Sequence, residues 1–258
     1  MKNLLQRALI RLHASAQSAG LLSAGPGRAL FEGSYELYKA WMEAGAVDQL
    51  RALVQPGSTV IDVGANIGFF TRRFAQWVGP DGRVIALEPE TQNFERLKRA
   101  VAKDGVVPRV ETILAAAGET DGAIRLRVNP RHPGDHRIEQ PDSTQGVNVA
   151  MVRLDDLLAA RGWPPVSLVK IDVQGAEERV LLGAERTLTT ARPAWFVEVD
   201  DAHLRAMGSS AEALVRRFTT HGYAARRVLK QGFSAPLDPT TVLADVPAGG
   251  YEDLLFTP

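Results

Sequence analysis

The chain has 258 residues, 45% hydrophobic and 23% charged, which is the make-up of a folded domain and not of a disordered tail. Lys and Arg number 30 against 30 Asp and Glu, and this balance argues against a protein that grips nucleic acid by neutralising phosphates. Cysteine is absent, which excludes disulfides and thiolate metal sites, and no apolar stretch is long enough for stable membrane insertion.

Residues 3–22 repeat Leu4, Leu5, Ala8, Leu9 and Leu12 at helical spacing, opposite a basic face. A helix packed on the domain or on a partner subunit is the preferred reading over a membrane-surface helix. Lys2, Arg7 and Arg11 accompany an interrupted apolar run with no convincing cleavage site, so the segment is expected to be retained and the protein cytoplasmic. Ala24-Gly25-Pro26-Gly27 breaks the helix. A second helix is expected over 34–54 from Leu37, Trp41, Ala44, Val47 and Leu50, ended by Gln55-Pro56-Gly57. Residues 1–54 thus read as a helical extension that caps a pocket or forms a homodimer contact. Residues 55–258 read as the main domain.

From residue 58, β-branched runs alternate with helical stretches. Strands are expected at 59–63, 83–87, 109–113, 166–172, 194–199, 223–229 and 253–257, with helices near 67–77, 91–102, 176–190 and 210–221. That rhythm indicates a mostly parallel sheet covered by helices on both faces. Asp155 or Asp156 is expected to cap a short helix at 156–161. Residues 123–128 and 147–152 alternate like half-exposed strands. Between them, residues 129–146 have no periodicity, and a loop that long in a compact domain is usually functional or disordered.

VIDVGANIGFF, residues 60–70, reads as a buried strand, a glycine turn and a helix start. Ligands of open α/β sheets sit outside the carboxyl ends of the strands. Gly64 and Gly68 lack a Cβ and let backbone approach a ligand, and the helix start offers free N–H groups. The spacing is neither the dinucleotide fingerprint nor a P-loop. Close strand–helix packing is the other reading of these glycines. In ALEPE, residues 86–90, Glu88 falls at the end of the next strand, 24 residues after Gly64. A carboxylate there suits two adjacent ribose hydroxyls, because it offers two acceptor oxygens.

Together VIDVGANIG, ALEPE and KIDVQGAEERVLLGA resemble the FkbM-like family of class I S-adenosylmethionine-dependent methyltransferases. LAAAGETDG at 114–122, LDDLL at 154–158 and a last strand ending in Pro258 agree with it. The resemblance covers about residues 34–258, and KIDVQGAE is its most specific part. It implies a Rossmann-like α/β fold with a seven-stranded sheet of order 3-2-1-4-5-7-6, the last strand antiparallel. It implies S-adenosyl-L-methionine as cofactor, with Gly64, Ala65, Asn66 and Gly68 around the methionine part. Glu88 and Pro89 would lie at the ribose and Leu114–Ala116, including Ala115, near adenine. Asp62 joins this cofactor set.

Alternation in strand 166–172 puts Leu168, Lys170 and Asp172 on one side. A lysine in a central strand needs a partner, and Glu198, Asp172 and Asp62 are the candidates. Asp172 is a candidate for the cofactor ammonium or for the acceptor, the alternative being a strand-end ion pair. Of the histidines, His132 and His136 lie in the unpatterned loop. Beside Asp135 and Arg137, His136 is the candidate base, the alternative being a solvated loop histidine. The catalytic candidates are therefore His136, Asp172 and Lys170, and the acceptor-binding ones His136, Arg137, Gln174 and Glu198. Asp172 and Glu198 would also suit Mg²⁺ or Ca²⁺, but no diagnostic ligand spacing exists and a metal-free route is preferred. The expected activity is O-methylation of a small-molecule acceptor such as a sugar or polyketide. N-methylation, or cofactor binding without turnover, are the alternatives.

Overall fold

The computed structural model describes residues 47–128, 137–138, 146–239 and 250–258. The chain divides into Met1–Val47 and Asp48–Pro258, and every element named below belongs to the second unit. The expectations for residues 1–46, including the N-terminal helix and its dimer contact, lie outside the described residues.

Strand β1 (Thr59–Val63) reads TVIDV and is buried throughout, as a central parallel strand must be when helices cover both faces. Helix α1 (Phe69–Trp77), strand β2 (Arg83–Leu87), helix α2 (Thr91–Lys103) and strand β3 (Val110–Ile113) complete the first half. A short β4 (Ala116–Ala117) follows, then β5 (Gly122–Arg127), β6 (Arg137–Ile138) and β7 (Val147–Val152). The chain returns through helix α3 (Leu154–Ala159), β8 (Val166–Ile171), α4 (Glu177–Leu182) and β9 (Ala194–Val199). It ends with α5 (Asp201–Ala206), α6 (Ala211–Thr220), β10 (Ala224–Arg227) and β11 (Glu252–Thr257).

Seven strands form one sheet in the order β3-β2-β1-β8-β9-β11-β10. Counted along the chain within this sheet, the order is 3-2-1-4-5-7-6, and β11 runs antiparallel to both its neighbours. The fold is therefore the Rossmann-like α/β arrangement expected above. Between β9 and β10, the inserted β11 brings Phe256 to stack on Phe218 of α6, with ring centroids 3.9 Å apart. Trp195 of β9 meets the same Phe218 edge-on and donates its indole N–H to the Tyr223 hydroxyl. That hydroxyl donates in turn to the Leu188 carbonyl, so the buried polar atoms in this aromatic cluster are paired.

Several features depart from the expectations; among them, the described end of the helix expected over 34–54 is a 3-10 helix, Asp48–Leu53. The helix expected over 176–190 stops at Leu182, and a separate turn of π-helix spans Thr187–Ala191. Helix α5 was not anticipated. Residues 123–128 and 147–152 do form strands, but they belong to a second sheet of order β4-β7-β5-β6. In it, Ile124 pairs with Val149 and Leu126 with Val147. The inner face of that sheet is apolar, and Leu126 packs with Ala176, Val173 and Met207, at the carboxyl end of β8 and the end of α5.

Asp155 does not cap α3, whose N-cap is Arg153. Its buried carboxylate instead accepts the N–H groups of Arg186 and Thr187 and the Thr187 hydroxyl, at 2.8, 2.9 and 2.7 Å. It therefore holds the start of the π-turn, which has no other side-chain cap. Asp155→Ala leaves two buried donors of Thr187 and the part-buried Arg186 N–H unpaired and should destabilise the fold by about 2–4 kcal/mol, read as a lower urea midpoint at unchanged slope.

Candidate active site

At the end of β1 the chain turns through Gly64 at φ 74°, Asn66 at φ 51° and Gly68 at φ 92°. The N–H groups of Gly64 and Ala65 both donate to the Leu87 carbonyl, at 3.0 and 2.9 Å, tying the turn to the end of β2. A Cβ on Gly64 would stand 1.9 Å from the carbonyl oxygen of Asp172, so only glycine lets the loops after β1 and β8 touch. A Cβ on Gly68 would stand 2.9 Å from Leu97 of α2. Close packing therefore explains Gly68, while Gly64 is required by backbone from the neighbouring strand.

Glu88 follows β2 and is 4% exposed. Its Oε2 accepts the Asn66 N–H at 2.8 Å and its Oε1 accepts the Glu90 N–H at 2.9 Å. Burial pushes the Glu88 carboxyl up to about 7, against the opposing pull of those N–H groups and of the Lys170 ammonium. Asn66 Oδ1 is buried and has no hydrogen-bond partner among the described residues. The Ile113 carbonyl accepts from both Glu88 and Ala115, so the bend carrying the buried Ala115 and Ala116 is fixed to the same strand end. Pro89 is half-buried, and Leu114, the residue after β3, is exposed.

The polar residues of β8 form a ladder across the central strand ends. Lys170 stands opposite Asp62 in the β1–β8 register. Its Nζ is 3.3 Å from Asp62 and 3.8 Å from Asp172, two of the three expected partners. It also donates to the carbonyls of Gly64 and Val63, at 2.7 and 3.3 Å, and sits 5.3 Å from the Phe70 ring centroid. Glu198, the third expected partner, instead accepts from Gln174 at 2.8 Å, and the same amide reaches Asp172 at 3.2 Å. Gln174 adopts φ 54°, a left-handed backbone that turns its side chain between the two acids.

Asp62 is 0% exposed and Lys170 2%, so neither side chain presents a surface to solvent. Lys170 holds the backbone of the glycine turn through the Val63 and Gly64 carbonyls, and Asp62 holds Lys170. Asp172, with a side chain 21% exposed, keeps such a surface, and Gln174 and Glu198 lie beside it half-buried. His136 lies outside the described residues, and Arg137 is described only as strand backbone. Among the described residues no group of three or more His, Asp or Glu is arranged to hold a metal ion.

Two contributors escaped the sequence reading. The Thr71 hydroxyl donates to Asp62 at 2.6 Å, a partner signalled only by a hydroxyl one helical turn past the glycines. Glu177 is buried and accepts two N–H groups from the turn after β8. Its signal was an acid in the first turn of a helix, placed to reach back.

A family model described as the methyltransferase FkbM domain matches residues 62–225, more than half of the chain. Over 162 residues the chain is 32% identical to the 31-O-demethyl-FK506 methyltransferase FkbM of Streptomyces tacrolimicus, covering 51% of this chain and 61% of that protein. Over 161 residues it is 27% identical to the 2-O-methyltransferase NoeI of Sinorhizobium fredii, covering 54% of this chain and 63% of that one. The chain thus spans less than two thirds of either relative. A crystal structure of methyltransferase FkbM from Methylobacillus flagellatus overlays 77% of this chain and 43% of its own, at TM-score 0.49 and 18% identity.

Lys170→Met strands the Asp62 carboxylate in the sheet and should cost about 3–5 kcal/mol in urea unfolding. Adding Asp62→Asn removes the stranded charge, and the double variant should regain more than half of that loss.

Proposed function

The chain belongs to the FkbM methyltransferase family, and on that premise we propose that it moves the methyl group of S-adenosylmethionine to a hydroxyl of a small molecule. The observation that carries the cofactor part is Glu88, whose buried carboxylate is aimed by the N–H groups of Asn66 and Glu90 at the mouth of the glycine turn. Each Glu88 oxygen has used one acceptor position and keeps another for a ribose hydroxyl. The lone buried Oδ1 of Asn66 supplies an acceptor for an ammonium or hydroxyl donor. These groups fit an amino-acid nucleoside.

In this reading the turn Gly64–Gly68 holds the methionine part and Glu88 the ribose. Pro89, Leu114, Ala115 and Ala116 border the adenine, and Asp172 faces the ammonium. When bound, the cofactor supplies a sulfonium-activated methyl whose in-line displacement leaves a neutral thioether. The protein aligns the acceptor oxygen, keeps water away and receives the hydroxyl proton. His136 is the proposed base, and Arg137, Gln174 and Glu198 are the proposed acceptor contacts. The oxygen acceptor is supported by the names of the two relatives above, both of which specify an O-methyl position. Among the described residues no helix is long and apolar enough to cross a membrane, and a small-molecule acceptor is the proposed partner.

Titration calorimetry with S-adenosylhomocysteine tests the cofactor site. Glu88→Ala should weaken binding by about 1.5–3 kcal/mol, the value of charged hydrogen bonds to the ribose. Hydroxyls donate to the ionised carboxylate, so ligand binding lowers the Glu88 pKa from its free value of about 7. Affinity should therefore fall as pH drops below 7 and level off above it, and Glu88→Gln should flatten that dependence. Unchanged affinity in Glu88→Ala would remove the ribose assignment, and a screen of hydroxylated acceptors with radiolabelled methyl donor tests the transfer.

A further inference from the structure

The turn after β8 carries Asp172 and Gln174, and it is backbone-strained. Gln174 and Gly175 are consecutive left-handed residues, at φ 54° and 104°. A left-handed glutamine is strained and persists only where its surroundings hold it. One group that holds it is Glu177. A single oxygen of that carboxylate, Oε1, accepts the N–H of Val173 at 3.3 Å and of Gly175 at 3.1 Å, one on each side of Gln174.

The turn is also walled in. Behind it, a Cβ on Gly175 would stand 2.5 Å from the His203 carbonyl of α5. On another side, Leu126 of the second sheet packs with Ala176 and Val173. In front, the Asp172 carbonyl occupies the space that a Gly64 side chain would need, and the Val173 side chain lies 3.3 Å from the same point. Any shift of this turn is therefore felt at Gly64, where its backbone already meets the glycine turn of β1.

Resting on the reading of that turn as the cofactor site, we infer that Glu177 is a positioning residue: it clamps the β8 turn so that Asp172, Gln174 and the wall behind Gly64 stay in place for the cofactor. The clamp works through one acceptor oxygen, Oε1. Oε2 is buried without a hydrogen-bond partner among the described residues, and burial, reinforced by Asp172, raises the carboxyl to about 7. An amide oxygen in the place of Oε1 can accept the same two N–H groups.

The test is calorimetric titration of the full chain with S-adenosylhomocysteine at pH 7.5, with circular dichroism to confirm folding. Glu177→Ala should weaken binding at least about tenfold, the loss expected when a left-handed turn relaxes. Glu177→Gln should stay within about threefold of the wild type, because the acceptor remains. A purely structural Glu177 would lower the melting temperature of the alanine variant and leave the affinity of the folded protein untouched. That result, or a glutamine variant as weak as the alanine one, overturns the inference. Where Glu177→Ala does not fold, Glu177→Asp replaces it: withdrawn by one methylene, its carboxylate should reach one amide at most, and wild-type affinity there also overturns the inference. Wild-type protein that binds no S-adenosylhomocysteine overturns the cofactor reading and this inference with it; a wild type that binds while the variants bind equally overturns the inference alone.

Discussion

A lysine ammonium lies inside a parallel sheet, 3.3 Å from the Asp62 carboxylate and 2.7 Å from the Gly64 carbonyl. Two charges placed there lose their hydration, and only good geometry returns that energy. Lys170 and Asp62 are register partners on adjacent strands, so the pair forms when the sheet forms. Thr71 then takes the second Asp62 oxygen, which fixes α1 against β1. The ammonium's remaining hydrogen-bonding capacity goes to backbone carbonyls at the end of β1. The position of the glycine turn is therefore set from beneath, by an electrostatic pair that no ligand has to touch.

Glu88 and Glu177 are the complementary case. Both are buried carboxylates whose strongest partners are backbone N–H groups, and both are pushed up toward neutrality by desolvation. Each holds one loop at the carboxyl edge of the sheet: Glu88 holds Asn66 and Glu90, Glu177 holds Val173 and Gly175. The two loops meet where Gly64 faces Asp172. Backbone on one strand end thus packs directly on backbone of the next, with little room for independent movement.

Much of this was written in the sequence, because apolar runs, glycine turns and strand-end acids follow local rules. The seven strands, their order and the pairing of Lys170 with Asp62 and Asp172 all followed from pattern and resemblance. Depth did not follow. Alternation says which face a side chain takes, but not whether that face is sealed, and so the complete burial of Asp62 and Lys170 was not legible. Asp155 read as the cap of its own helix because capping is a local habit; its real partners, Arg186 and Thr187, are distant in sequence. The second sheet was visible as two alternating strands, yet nothing local revealed that β7 would pair with β4 and that Leu126 of β5 would rest on Ala176.

That second sheet is fastened by its root. Leu126, next to last in β5, is pinned near Ala176, and from that end of the strand the chain leaves toward residue 129. The connection between β5 and β7 can gain or lose residues while the Ile124–Val149 register holds. A bulkier residue at position 126, by contrast, would press on the carboxyl end of β8, and a smaller one would leave a gap there. Side-chain volume at position 126 is thereby tied to the strand ends of the main sheet.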